Sequence, residues 1–224
     1  MIPLLLLLLM VAVPASAQTP IDPPVRRLQV EFGGGLIGGA DIGPVDATLR
    51  ANATTLQPYK VFSSATRFSP TPSYHVRAGY DFTRRLGVEG GMVFSRPKIE
   101  SSLTGDIEGA PPVTVNERID QYFLEASVLF RLDEIRLGRA TVPFVAGGAG
   151  YLRQLHQGLT VIDEGHLFHL GGGVKHVLSV RNGGLVRSSG VRADARVYLL
   201  TSGYSFDDSP KPHIAASGSF FVVF

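Results

Sequence analysis

Between Gly190 and Leu200 the chain switches character at every residue: Val191, Ala193, Ala195, Val197 and Leu199 fall on one face, Arg192, Asp194, Arg196 and Tyr198 on the other. A period of two is what a β-strand produces, because successive side chains leave opposite faces. Such a strand separates an apolar medium from a polar one. The same alternation places Tyr74, Val76, Ala78, Tyr80 and Phe82 against His75, Arg77, Gly79 and Asp81. It places Tyr122, Leu124, Ala126, Val128 and Phe130 against Gln121, Glu125, Ser127 and Arg131, although Ile119, Phe123 and Leu129 make that second face less polar. At the end of the chain Ile214, Ala216, Gly218, Phe220, Val222 and Phe224 share a face. About eight such segments lie near 27–38, 73–82, 86–96, 117–131, 140–153, 165–179, 190–201 and 213–224, with no long helical period between them.

The connections alternate. Those near 83–85, 132–139 and 180–189 are short, whereas those near 39–72, 97–116, 154–164 and 202–212 are mostly longer and rich in Pro, Ser and Thr. Short turns on one side and long loops on the other are the pattern of transmembrane barrels at their periplasmic and external rims. The expected fold is all-β: a closed, antiparallel, up-and-down transmembrane barrel of about eight strands, with 39–72 as a mobile external loop or, alternatively, a surface-recognition segment. Glycine supports a bent sheet. Several of the 26 glycines sit inside apolar runs, as in Gly33-Gly34-Gly35 and Gly171-Gly172-Gly173, where they disfavour helix and permit curvature and close backbone approach.

Charges recur on the less apolar faces: Glu31, Arg77, Glu89, Glu125, Lys175, Arg192, Asp194 and Arg196. In a lipid-embedded barrel these point inward, and eight strands leave an interior just wide enough for side chains to fill. Charges enclosed there must be paired, and four acids against four bases allow it. The expectation is a structural interior network that plugs the barrel.

The ends set the compartment. Leu4 to Leu9, followed by Ala15-Ser16-Ala17, reads as a signal peptide cleaved after residue 17, although no Lys or Arg precedes the leucines. Residues 18–26 form a Pro-rich lead-in, and 27–224 the barrel domain. The chain has no cysteine, which removes disulfides, thiol catalysis and thiolate metal sites. Its net charge is only +2, with dispersed basic residues, so a nucleic-acid partner has no support.

Pro143-Phe144-Val145-Ala146-Gly147-Gly148-Ala149-Gly150-Tyr151, the run from His169 to His176, that from Val191 to Tyr198, and the closing stretch from Ser217 to Phe224 together resemble the later strands of the OmpA/OmpX and opacity-protein-like β-barrel superfamily. His176 stands where that pattern has an aromatic residue. The resemblance covers the mature chain in architecture and its last third in motif. It implies a monomer in the cell outer membrane, in contact with outer-membrane lipids and lipopolysaccharide. It also implies that Phe220, Val222 and Phe224 form the terminal signal read by the outer-membrane assembly machinery.

Chemistry has little foothold. Lipid A deacylases of this architecture carry Ser two residues after His on a strand, so that both share a face, but here His213 is followed at that spacing by Ala215. His166 and His169, three apart, face opposite sides and cannot converge on a metal ion; Glu164 and His166 share a face but make only two ligands. No catalytic residue, metal site or cofactor is expected. The expected role is structural or surface-interacting, with a narrow porin-like solute channel and a lipid-A-modifying enzyme as alternatives, and a soluble lipocalin-like barrel as a third. Deleting Phe224 should impair insertion and leave aggregated or degraded protein; cell fractionation showing a normal outer-membrane yield from a chain ending at Val223 would remove the terminal-signal reading.

Overall fold

The computed structural model describes residues 27–49, 59–105, 111–135, 137–138, 140–155, 161–181, 183–201 and 211–224. The expected signal peptide and lead-in lie outside them. Among the described residues there are twelve strands: β1 (Arg27–Ile37), β2 (Ala40–Leu49), β3 (Tyr59–Phe68), β4 (Thr71–Asp81), β5 (Leu86–Ser95), β6 (Lys98–Thr104), β7 (Val113–Arg118), β8 (Asp120–Arg131), β9 (Thr141–Leu155), β10 (Val161–Val180), β11 (Ser188–Leu200) and β12 (Lys211–Val223). Eight close into an antiparallel barrel in the order β1-β12-β11-β10-β9-β8-β5-β4, and these are the eight segments that alternate in sequence. Closure is made by the ladder from Gln29 opposite Val223 to Ile37 opposite Ala215, so the last strand pairs with the first and no barrel edge stays open.

The alternation is realised as burial. Along β11 every second residue from Ser188 to Leu200 is buried. The outward partners form an apolar surface that includes Val30, Val76, Val88, Leu124, Val197 and Ile214. Aromatic residues border it: Tyr74, Phe94, Tyr122 and Tyr151 toward the long-loop end, and Tyr80, Phe82 and Phe130 toward the short-turn end. Tyr80 and Phe82 meet edge to face at 5.2 Å.

The segment 39–72 departs from expectation. It is not an irregular loop: β2 and β3 pair there, and with β6 and β7 they form a second sheet, in the order β2-β3-β6-β7, beyond the barrel mouth. The segment expected as one strand over 117–131 is divided, β7 ending at Arg118 and β8 starting at Asp120, with the Ile119 N–H donating to the Pro97 carbonyl at 3.1 Å. The connection near 154–164 is also shorter than expected, since β9 runs to Leu155 and β10 starts at Val161. The reason is physical. A hairpin can extend its ladder past the barrel wherever backbone pairs remain satisfied, but there no apolar medium demands an apolar face. Ser63, Ser64, Ala65 and Thr66 in β3 accordingly carry no contrast to read. The second sheet is rooted at the mouth by Phe68 and Ile99, which join the apolar cluster inside the barrel top.

Inward glycines make room for long side chains. A Cβ at Gly91 would lie 2.6 Å from Arg77 Cγ, and one at Gly171 would lie 2.8 Å from Arg196 Cγ. Outward Gly90 has only Glu125 O, at 3.7 Å, near the same position. Gly91→Val should therefore displace Arg77 and destabilise the barrel by about 1–3 kcal/mol, whereas Gly90→Ala should be nearly neutral. Urea midpoints of the two variants check this; equal midpoints would show that the inward glycine does not set the space for Arg77.

Candidate interior ion network

The eight charged residues singled out by their parity all lie inside the barrel, each between 1% and 8% exposed. They are brought there by six of the eight barrel strands: Glu31 from β1, Arg77 from β4, Glu89 from β5, Glu125 from β8, Lys175 from β10, and Arg192, Asp194 and Arg196 from β11. Arg192, Asp194 and Arg196 sit at successive inward positions, roughly 7 Å apart along the wall. That spacing lets one strand serve acids on the opposite side at several heights.

Arg192 is the centre. Its Nη1 donates to Glu31 Oε2 at 3.0 Å and to Glu89 Oε2 at 2.7 Å, its Nη2 reaches Glu89 Oε1 at 3.2 Å, and its Nε lies 2.9 Å from Asp194 Oδ2. Arg196 donates to Glu89 Oε1 at 2.7 Å, Glu125 Oε2 at 2.8 Å and Asp194 Oδ1 at 3.1 Å. Arg77 donates to Glu31 Oε1 at 2.8 Å and approaches Asp194 Oδ2 at 3.5 Å. Seven of the eight are thus joined in one set of charge-assisted hydrogen bonds, which are stronger than neutral ones. Lys175 enters indirectly. Its Nζ donates to Gln29 Oε1 at 3.0 Å, and Gln29 in turn donates to Glu31 Oε2 at 3.2 Å.

The network is enclosed on both sides. Toward the loop end lies an apolar cluster that includes Ile37, Val93, Phe123, Leu152, Leu167 and Leu200. Toward the turn end lie Leu129, Phe144 and Ala146. The Phe144 ring carries the Arg192 guanidinium 4.4 Å from its centroid and Lys175 Nζ at 5.7 Å, a cation–π arrangement that gains strength from desolvation. A void beside Ser73, His75, Arg77 and Asp194 measures about 10 Å³, the room of roughly one water.

Several participants were not singled out beforehand. Asp81 and Arg131 form a further buried ion pair near the turn end. His75 Nε2 lies 3.6 Å from Glu31, and Tyr198 donates to Glu125 Oε1 at 2.7 Å while stacking on Phe123. Parity alone marks all of these as inward; extending the charge list to every inward polar residue would have found them. Ser127 Oγ and His169 Nε2, on β8 and β10, come within 3.2 Å, a pair that spacing along one strand cannot show. Both are buried inside the barrel. His166 is exposed and His169 buried, so the two do face opposite ways. Phe220 packs at 5.8 Å against Phe32, Val222 pairs with Val30, and the Phe224 N–H donates to the Leu28 carbonyl at 2.9 Å.

Neither a family model nor a curated protein matches the sequence. Solved structures do match in fold. The outer membrane protein OprG from Pseudomonas aeruginosa aligns with a TM-score of 0.53 at 7% identity, over 89% of this chain and 96% of that one. Neisserial surface protein A aligns with a TM-score of 0.53 at 12% identity, over 88% and 97%. With its closed eight-strand barrel and alternating burial, the chain therefore has the fold of the small outer-membrane β-barrels.

Proposed function

We propose that the protein is exported and resides in the cell outer membrane as a non-catalytic barrel whose role is structural or one of surface interaction, with an interior closed to solutes. The outer apolar surface supports the location: among the described side chains of the barrel strands, carboxylates and guanidinium groups turn inward except near the loop end, where Asp120, Arg153 and Glu164 face out. Lipid requires such a surface, and water does not. The observation that carries the closed interior is the continuity of the ion network from Lys175 to Arg196 between two apolar layers. A pore would need those charges to face a water column, and here they face each other.

The Ser127–His169 pair gives no reason to prefer an enzyme. A nucleophile needs a substrate within reach, and this pair is enclosed by the barrel wall and the apolar cluster. The second sheet supplies surface beyond the mouth, with Asp46, Lys60, Arg67 and Glu100 on one of its faces, which suits a surface role.

Val197→Arg, on the outward face of β11, should cost about 2–4 kcal/mol of stability in a lipid-refolding titration if the site lies near the bilayer midplane. Tolerance of that change would favour a water-soluble barrel instead. In planar bilayers the unmutated protein should show little or no steady conductance. Replacing Arg192 and Arg196 together with Ala strands Glu89 and Glu125 and leaves Glu31 to Arg77; it should lower stability by at least the roughly 3–5 kcal/mol of one broken buried pair, and open at most a small cation-preferring leak. A large, stable conductance from the unmutated protein would overturn the closed interior and promote the channel.

A further inference from the structure

The two ends of the barrel differ in how their basic side chains are satisfied. At the loop end Lys60 is tied to Asp46 at 2.7 Å, Arg67 to Glu100 at 2.6 Å and Arg96 to Asp120 at 2.7 Å. At the turn end the ladder brings three arginines together. The backbone N–H of Arg181, just after β10, donates to the Arg187 carbonyl at 2.8 Å; the Arg187 N–H, just before β11, donates to the Val223 carbonyl at 2.8 Å; and Phe224 N–H donates to Leu28, beside Arg27 at the start of β1. Arg181, Arg187 and Arg27 therefore occupy the ends of β10, β11 and β1 on one arc of the rim, with β12 between the last two; Arg27, opposite Asp81 in the ladder, leaves the wall on its inner side. Their side chains make no ion pair among the described residues. The acidic side chains described at this end are Asp81, which stands opposite Arg27 and holds Arg131; Glu134, which holds Arg85 at 3.0 Å; and Asp133, beside Glu134 on the β8–β9 turn.

Apolar side chains open to the outside lie beside these arginines: Leu28 at 49% exposure and Leu185, in the turn between Arg181 and Arg187, at 80%. An arc of unpaired guanidinium groups at the margin of an acyl-facing surface matches one kind of molecule, an amphiphile with an anionic head. Guanidinium forks bind phosphate oxygens in bidentate fashion, and basic residues at a bilayer surface attract anionic lipid. We propose that Arg27, Arg181 and Arg187 form a docking surface for anionic phospholipid headgroups in the leaflet at the turn end. The inference rests on the membrane reading above and adds a lipid preference to it.

The test uses the mature full chain refolded into vesicles of phosphatidylcholine alone and of phosphatidylcholine containing phosphatidylglycerol, with the urea midpoint read by heat-modifiable gel mobility. The unmutated protein should gain stability with phosphatidylglycerol, and high salt should abolish the gain. The variant carrying Arg27→Gln, Arg181→Gln and Arg187→Gln should keep its midpoint in phosphatidylcholine and lose the gain. Arg67→Gln at the loop end should retain it. A triple variant with the full phosphatidylglycerol gain, or an unmutated protein that folds in phosphatidylcholine yet gains nothing, overturns the lipid site and leaves the membrane reading standing. If the triple variant does not fold, the salt titration of the unmutated protein decides: a gain that survives high salt overturns the proposal. Absence of any folded species in either vesicle overturns the membrane reading and the lipid site together.

Discussion

An eight-stranded barrel encloses a cylinder that backbone and side chains fill, so a charge placed there cannot rely on bulk water. Everything inside this barrel follows from that enclosure. Arg192 is tolerated because Glu31, Glu89 and Asp194 surround it and Phe144 covers its face. Those acids are tolerated because Arg77 and Arg196 complete their coordination. Within this set no pair stands alone, and removing one member exposes the rest to the desolvation cost that the whole arrangement offsets.

The same enclosure explains the glycines. A narrow lumen lined by arginine and glutamate has no space for a further side chain at every inward position. Gly91 and Gly171 sit where the stems of Arg77 and Arg196 pass, and a Cβ at either would collide with them. Apolar layers at both ends of the network then keep the local dielectric low, which strengthens each pair and raises the cost of any unpaired group. Packing and electrostatics are in this way one problem: the glycines set the room, the arginines fill it, and the acids fix where they point.

Outside the lumen, structure follows the medium. The barrel wall separates two environments and its strands alternate accordingly; the sheet β2-β3-β6-β7 rises beyond the mouth, held at its root by Phe68 and Ile99. There the backbone ladder continues, and surface pairs such as Lys60–Asp46 and Arg67–Glu100 replace buried ones. Exposed pairs of that kind contribute little each. The sheet's persistence rests on its backbone pairing and on its root in the mouth.

The sequence by itself determined the eight barrel strands and their inward and outward faces, because period-two alternation is forced wherever a strand divides two media. The up-and-down order followed from short turns alternating with longer connections. Tertiary structure decided the rest. Register set which acid each arginine meets, bringing Glu89 to both Arg192 and Arg196 and leaving Lys175 to reach the network through Gln29. It also set the pairing of Asp81 with Arg131 and of Ser127 with His169, whose partners lie on different strands. The second sheet was illegible for the converse reason: β2, β3, β6 and β7 lie beyond the barrel wall, so no contrast between two media is written into them. A strand's faces are local properties of the chain; the height at which one strand stands against another is a property of the closed barrel alone.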